Sequence, residues 1–426
     1  HEGTFYIICT NVSYGGNFII TAQNPAGPWS EPHYIEGADG IDPSLFFDED
    51  GTCYYIGTHP NPAGCQYDGD WYIWIQELDI ENMKLVGEVH NVWNGAMRNI
   101  IWPEGPHLYK IGEYYYIMHA EGGTGPDHAV TVCRSKNVYG PYENNFCNPI
   151  LTHRHLGRKY PICYVGHADL VKTINDEWYM VMLAVRPLEG YTSMGRETFL
   201  ARVEWENDWP VVNPGVGRLT DTVEINLPKW TAYTAESNEY VFSTMGQLPP
   251  EFMVLRNADK SHYSLEKGKG LLMLFDTHTL KEQASPSYLA LRQKHHHFMA
   301  KALLDVSNLS EDKRAGIAYV QNNLYNLRVE VNGKMAEVIL CEKGTDRRVI
   351  SMPLQGSNPL EVSLEVDGLS AAVIIEGQKS PEVDIRTLST EAAGGFTGCT
   401  VGLYAVADTE NTDCACFKRF SYSEAL

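Results

Sequence analysis

The sequence lacks several things that would narrow its class at once. No apolar run approaches the length of a membrane-spanning helix. Lys and Arg number 33 against 54 Asp and Glu, a formal net charge of −21. No cluster of basic residues stands out, which argues against nucleic acid or an anionic membrane as partner. Neutral and cationic ligands remain open. None of the ten cysteines forms a C-x-x-C pair, so a zinc site or redox motif has no support. Cys414 and Cys416 would share one face of a strand, which argues against a disulfide between them. Most of the others sit in apolar, strand-like contexts and read as small buried thiols, which favours a reducing, cytoplasmic compartment. Helical periodicity is scarce throughout, so an all-β protein is expected. The chain also lacks an initiator Met, a signal peptide and a disordered lead, opening directly on "HEGTFYIICT". A start upstream of residue 1 is therefore expected, and the compartment stays undetermined.

What is present is a repeat. Four segments pair a polar or glycine turn with an aromatic strand: "EGTFYIICT" (2–10), "DGTCYYIGT" (50–58), "IGEYYYIMH" (111–119) and "NDEWYMVML" (175–183). Tyr, Phe, Trp and β-branched residues are the composition of strands. The spacing of these units suggests the blades of a β-propeller. The strand before each of the last three turns begins at an ionisable residue: Asp42 in "DPSLFFDE", Glu104 in "EGPHLYKI", His167 in "HADLVKTI". Each lies eight or nine residues ahead of its turn. The first strand of a propeller blade lines the central channel, so these three side chains are expected to converge on the axis. Glu104 is flanked by Trp102-Pro103 and Gly105-Pro106, which restrict the backbone on both sides. Two outer corners repeat as well, Gly27-Pro28-Trp29 and Gly140-Pro141-Tyr142. The inner strand of the first repeat would fall before residue 1.

The repeat fades after residue 219, and 220–247 reads as irregular. From about Glu251 short alternating strands take over, separated by Gly, Asn and Asp turns. They predict an antiparallel β-sandwich. The domains are accordingly 1–225, a propeller, and 226–426, a sandwich with a linker over 226–247. Within the second, "KHHHF" places His295, His296 and His297 in a row. On a strand they alternate faces and cannot share one ion, so a polar strand end is expected.

Six stretches taken in order, "GIDPSLFFDEDG", "WPEGPHLYK", "AEGGT", "VGHADLV", "EWYMV" and "MGRETFL", resemble glycoside hydrolase family 43. The second half, with "EFMVLRN", "YSLEKGKGLLML" and "GIAYVQNN", resembles the β-sandwich appended to its two-domain β-xylosidases and α-L-arabinofuranosidases. The resemblance implies a five-bladed β-propeller whose first blade and part of whose second lie upstream, followed by a concanavalin-A-like sandwich. It implies an exo-acting, inverting glycosidase of xylo- and arabino-oligosaccharides. By matching motifs, Glu104 is the general acid and Asp42 the carboxylate that tunes and orients it. His167 lies near the sugar and, through water, near a central divalent ion such as Ca2+. No cofactor is required. Arg196 in "GRET" binds sugar hydroxyls, and Phe396 in "GGFTG" matches an aromatic at the mouth of the site. The general base, a first-blade Asp, is expected upstream, so this chain alone is expected to hydrolyse poorly. Asp39, Asp48, Asp50 and Glu121 read as turn or strand-end residues and are not promoted to base. The alternatives are a carbohydrate-binding propeller without hydrolysis and an ion-binding structural protein. Xylose is not separated from arabinofuranose, and homo-oligomerisation is left open.

Overall fold

A computed structural model of the chain describes residues 1–229, 239–257 and 260–425. Part of the expected linker 226–247 therefore lies outside the described residues. Among those described, nearly all regular structure is strand; the one α-helix is the single turn Thr390–Ala393. No helix is long and apolar enough to cross a membrane. The chain divides into two compact units. The first comprises His1–Val185 with Glu197–Pro228, the second Arg186–Arg196 with Lys229–Leu426.

The first unit is a set of small antiparallel sheets, each formed from consecutive strands. β1 (Phe5–Asn11), β2 (Gly16–Ala22) and β3 (His33–Tyr34) make a three-stranded sheet. Three four-stranded sheets follow. One contains β4 (Ile41–Phe47), β5 (Cys53–Pro60), β6 (Trp71–Asp79) and β7 (Lys84–Trp93). The next contains β8 (Glu104–Ile111), β9 (Tyr114–Glu121), β10 (Ala129–Ser135) and β11 (Glu143–Asn144). The last contains β12 (Cys163–Lys172), β13 (Trp178–Val185), β14 (Glu197–Glu206) and β15 (Trp209–Val212). This is propeller architecture, and the repeat predicted it. The turn positions that define the repeat, Gly3, Gly51, Gly112 and Asp176, all have left-handed backbone, with φ of +80°, +88°, +60° and +59°. Both Gly-Pro corners are cis.

The first strands of successive sheets come into contact. β4 packs on β8 and β8 on β12. Side chains bridge them: Ser44 Oγ donates to Pro106 O at 2.7 Å, Tyr115 OH to Asp48 Oδ2 at 2.6 Å, and Leu170 N–H to Tyr109 OH at 2.9 Å. Tyr109 OH in turn donates to Asp169. Apolar residues of neighbouring sheets fill the spaces between blades, with Ile56, Ile75, Leu108, Ile117 and Cys133 in one cluster and Met118, Val130, Val165, Met180 and Met182 in another.

The second unit is a β-sandwich. In one sheet Cys414–Glu424 pairs with His297–Asp305, which pairs with Leu360–Asp367 and so on to Ser370–Ile375. The facing sheet has six strands ordered Tyr288–Arg292, Thr400–Ala407, Lys313–Asn322, Tyr325–Val331, Met335–Glu342 and Thr345–Pro353. Between them lies a core in which Phe298, Phe417 and Phe420 are fully buried; each such side chain stabilises the fold by about 1.5–3 kcal/mol relative to exposure. The short alternating strands expected beyond residue 251 are present, the first at Tyr263–Glu266. Segment Arg186–Arg196 docks onto this unit by dense hydrogen bonding: Cys399 N–H to Ser193 O at 2.8 Å, Thr192 N–H to Glu391 Oε2 at 2.7 Å and Arg292 Nη2 to Met194 O at 2.9 Å.

The three adjacent histidines go separate ways. His297 Nδ1 bonds Asp367 at 2.6 Å, while His295 stacks on Tyr422. None of the ten cysteines is in a disulfide. Six are buried, and burial pushes the Cys53 and Cys399 thiols up to about 12, which leaves them unreactive. Cys9, Cys65 and Cys147 are exposed instead. Cys9 is so because β1 alternates exposed and half-buried positions with no fully buried one.

Candidate active site

Three inner strands begin with the same defect. The ladder between β4 and β5 is regular from Ser44 onward but slips between Ile41 and Ser44. β8 slips between Glu104 and His107, and β12 between Gly166 and Ala168. At each slip one residue is left-handed: Asp42 at φ +52°, Gly105 at +57° and His167 at +52°. A bulge of this kind turns a side chain out of the two-face alternation of the strand. Non-glycine residues adopt this backbone rarely and at a cost, typically near functional sites. Asp42 and His167 therefore hold equivalent positions, and Glu104 stands one residue ahead of its blade's equivalent, Gly105. The sequence spacing showed that offset but gave no reason for it.

The reason is contact. A methyl group on Gly105 would lie 2.5 Å from His167 Nε2, so the His167 imidazole rests directly on the Gly105 backbone. No larger residue fits there, and the acidic side chain is carried by the preceding residue. Asp42, Glu104 and His167 are each half-buried, the last two between buried neighbours in the chain. They are neither sealed in the interior nor scattered on the surface.

The segment leading into Glu104 is anchored on both sides. Trp102 N–H donates to Gly69 O at 2.8 Å and Gly122 N–H to Ile101 O at 2.9 Å. Thr58 Oγ1 donates to Pro103 O at 2.6 Å in a buried setting. Trp102, itself left-handed at φ +46°, lays its ring against Gly123. Glu104 then pairs with Ala120 in the ladder. Beside it, Glu121 is 1% exposed and accepts from Ala96 N–H and His119 Nε2, the latter at 2.9 Å. That carboxylate fastens the 94–100 loop, which fits its reading as a strand-end residue. Asp48 is engaged by Tyr115 and by Lys110 at 3.4 Å, and Asp50 caps its own turn through Thr52 N–H at 2.9 Å. Those hydrogen bonds hold the Asp50 carboxyl below its ordinary range.

His107, on the inner strand three residues after Glu104, escaped the sequence reading because a strand-interior His carries no local signal. Burial lowers its pKa, against the pull of Asp169 and Asp42. Its Nδ1 lies 3.7 Å from Asp169. In the second unit, Arg196 and Phe396 are brought together. The Arg196 guanidinium lies 4.3 Å over the Phe396 ring, and Arg196 N–H donates to Phe396 O at 3.1 Å, a cation–π pair on a backbone bridge.

Comparison with known proteins gives these features a class. Residues 1–210 match the model of glycosyl hydrolases family 43, and residues 240–423 match that of the β-xylosidase C-terminal concanavalin A-like domain. The chain is 47% identical to a xylosidase/arabinosidase of Butyrivibrio fibrisolvens over 98% of its own length and 83% of that protein's. It is 35% identical to a non-reducing end α-L-arabinofuranosidase of Bacteroides ovatus, over 99% of this chain and 80% of the relative. Among solved structures, a xylan β-1,4-xylosidase from Bacillus halodurans superposes with a TM-score of 0.87 at 30% identity, covering 100% of this chain and 85% of that one. The chain is thus an all-β, two-unit glycosidase. It belongs to glycosyl hydrolases family 43.

Proposed function

We propose that the protein removes non-reducing terminal xylose or arabinofuranose from xylo- and arabino-oligosaccharides with inversion at the anomeric carbon. The observation that supports this reading is the bulge shared by three adjoining inner strands at Asp42, directly after Glu104 and at His167. An inverting reaction needs a protonated carboxyl on the leaving-group oxygen and an ionised one activating water, about 6.5–9.5 Å apart. Glu104 is assigned as the acid. A carboxyl near neutral pH keeps its proton only in a desolvated setting or beside another negative charge. Asp42, at the bulge of the adjoining strand, is assigned as the carboxylate that tunes and orients that acid. The resemblance assigns the base to a first-blade Asp. His167, held in place by its bulge and by contact with Gly105, is assigned to a sugar hydroxyl. Arg196 and Phe396 are assigned to sugar binding, the guanidinium as donor and the ring as an apolar face. Rigid placement of such groups is where much of the rate comes from.

A central divalent ion such as Ca2+ would be held by His167 through water. Ca2+ takes six to eight oxygen ligands, and among the described residues no group of three or more His, Cys, Asp or Glu side chains has metal-holding geometry. No step of the reaction is assigned to it.

The test is the anomer. Hydrolysis of an aryl β-xyloside followed by proton NMR should show α-xylose as the first product. Initial release of the β-anomer would overturn the inverting assignment.

A further inference from the structure

In the propeller unit, the stretch His153-Arg154-His155-Leu156-Gly157-Arg158-Lys159 is basic in a chain that is acidic overall. It folds through one turn of 3-10 helix, Arg154–Leu156, and a left-handed Gly157. Arg154, Gly157 and Arg158 line an open cavity of about 120 Å³ together with His153, Asp127 and Tyr164. Among the described residues neither guanidinium has a carboxylate at ion-pair distance; Arg154 Nη2 rests against the Met97 sulfur at 3.4 Å.

The charge on the cavity wall can be worked out group by group. His153 is 3% exposed. Its Nδ1 donates to Ile162 O at 2.8 Å and its Nε2 accepts from Leu219 N–H at 2.9 Å, an arrangement that only the neutral ring satisfies. Burial, with His155 and Arg218 nearby, lowers its pKa further from charging. Arg154 and Arg158 then contribute two positive charges and Asp127 one negative. One unit of positive charge remains, and a single monoanion neutralises it. A dianion such as phosphate would bring a second negative charge toward Asp127. The planar fork of a guanidinium fits a carboxylate in particular.

Size and position narrow the ligand. Cavities of ~150 Å³ hold a group the size of benzene, so this one takes the acidic end of a sugar ring rather than a whole residue. Tyr164 forms one wall. Its own carbonyl is engaged by His128 Nδ1 at 2.9 Å, and its backbone is left-handed at φ +56°. It stands three residues before His167 on β12, at most about 10 Å along the chain, a span that neighbouring sugar units can bridge.

We propose that this cavity binds the carboxylate of a uronic acid residue on the oligosaccharide, so that the enzyme accepts acidic, uronate-substituted chains. The proposal deepens the glycosidase reading and rests on it for the identity of the ligand's carrier. Its test is made independent of turnover. The full chain is titrated by calorimetry with methyl β-D-glucuronide, with methyl β-D-glucoside as the neutral analogue, and with sodium acetate and inorganic phosphate. The glucuronide should bind at least about tenfold more tightly than the glucoside, as loss of a charge-assisted pair implies. Acetate should compete weakly, and phosphate should bind less well than the glucuronide. Arg154→Ala with Arg158→Ala should abolish the preference while thermal unfolding is unchanged. Both side chains lie at least partly in solvent; if the double variant fails to fold, each Arg→Gln single variant should still lose part of the preference. Because the readout is the heat of binding and not turnover, a failed catalytic assignment leaves this result readable. Equal affinity for glucoside and glucuronide, tighter binding of phosphate, or a preference that survives in the folded variants would each overturn the proposal.

Discussion

The two units handle charged strand residues in opposite ways. In the sandwich, Asn326 to Val331 pairs residue for residue with Cys341 to Ala336, without a slip. Arg328 lies on that ladder and is buried. Its Nε donates to Glu330 at 2.8 Å, its Nη1 to Asn326 at 2.8 Å and its Nη2 to Asp346 at 2.9 Å. In the propeller, the ladder slips at Asp42, at His167 and directly after Glu104. A charge kept in register is absorbed by its neighbours and becomes structure. A charge at a bulge is aimed away from the sheet and becomes available to a ligand.

The largest effect is expected from Glu104→Gln. Turnover of xylobiose should fall by about a hundred- to ten-thousandfold, and turnover of an aryl xyloside with an acidic phenol by much less, because that leaving group needs no proton. Equal losses on both substrates would remove Glu104 from the acid's role. Next is Arg328→Met, which should cost the sandwich about 3 kcal/mol in denaturant unfolding. That is the low end for breaking a buried pair, since Arg314 stays on Glu330 at 3.1 Å and Lys281 on Asp346 at 3.0 Å. The kcat of the molecules that remain folded should not change. Gly105→Ala should cost about 1–3 kcal/mol from its left-handed backbone alone, and more from the clash with His167. Gly37→Ala is the control, for Gly37 is left-handed at φ +77° with open space around its Cα. Only the Gly105 variant should also lose activity.

The smallest effect is a pH dependence. The folded pKa of His107 is depressed, chiefly by burial. As pH falls below the ordinary histidine value, the unfolded chain takes up a proton that the folded chain refuses. Stability is therefore full above that value and declines as pH drops through about 6.5 toward the folded pKa. His107→Asn should flatten the slope of unfolding free energy between about pH 7 and 5.5; an unchanged slope would place the titration elsewhere, with His153 as the next group to vary.

Much of the propeller was legible because its turns are chemical punctuation. Gly3, Gly51, Gly112 and Asp176 announce left-handed corners, and Tyr-rich strands follow each. The inner positions were legible for the same reason, to within one residue. What the spacing could not convey was the bulge, because a slipped ladder has no composition of its own. Asp42 and His167 look like ordinary strand residues until the pairing is seen. The Arg328 cluster was equally silent, since its members are scattered from Asn326 to Asp346. The Arg154 and Arg158 pair was passed over because net charge averages out a local wall. Arg196 and Phe396 were singled out by motif, and their mutual stacking, 200 residues apart in sequence, was beyond any local pattern.

The docking of Arg186–Arg196 makes the sandwich discontinuous along the polypeptide. The ribosome delivers one of its pieces, including the buried Thr192 and Ser193, while most of the sandwich is still untranslated. Until the partners near Gln293, Glu391 and Cys399 emerge, that piece waits between β13 and β14 as an exposed excursion. Cutting the gene at the visible boundary would strand it permanently, so the propeller unit cannot be isolated by truncation alone, and replacing the excursion with a short turn would remove Arg196.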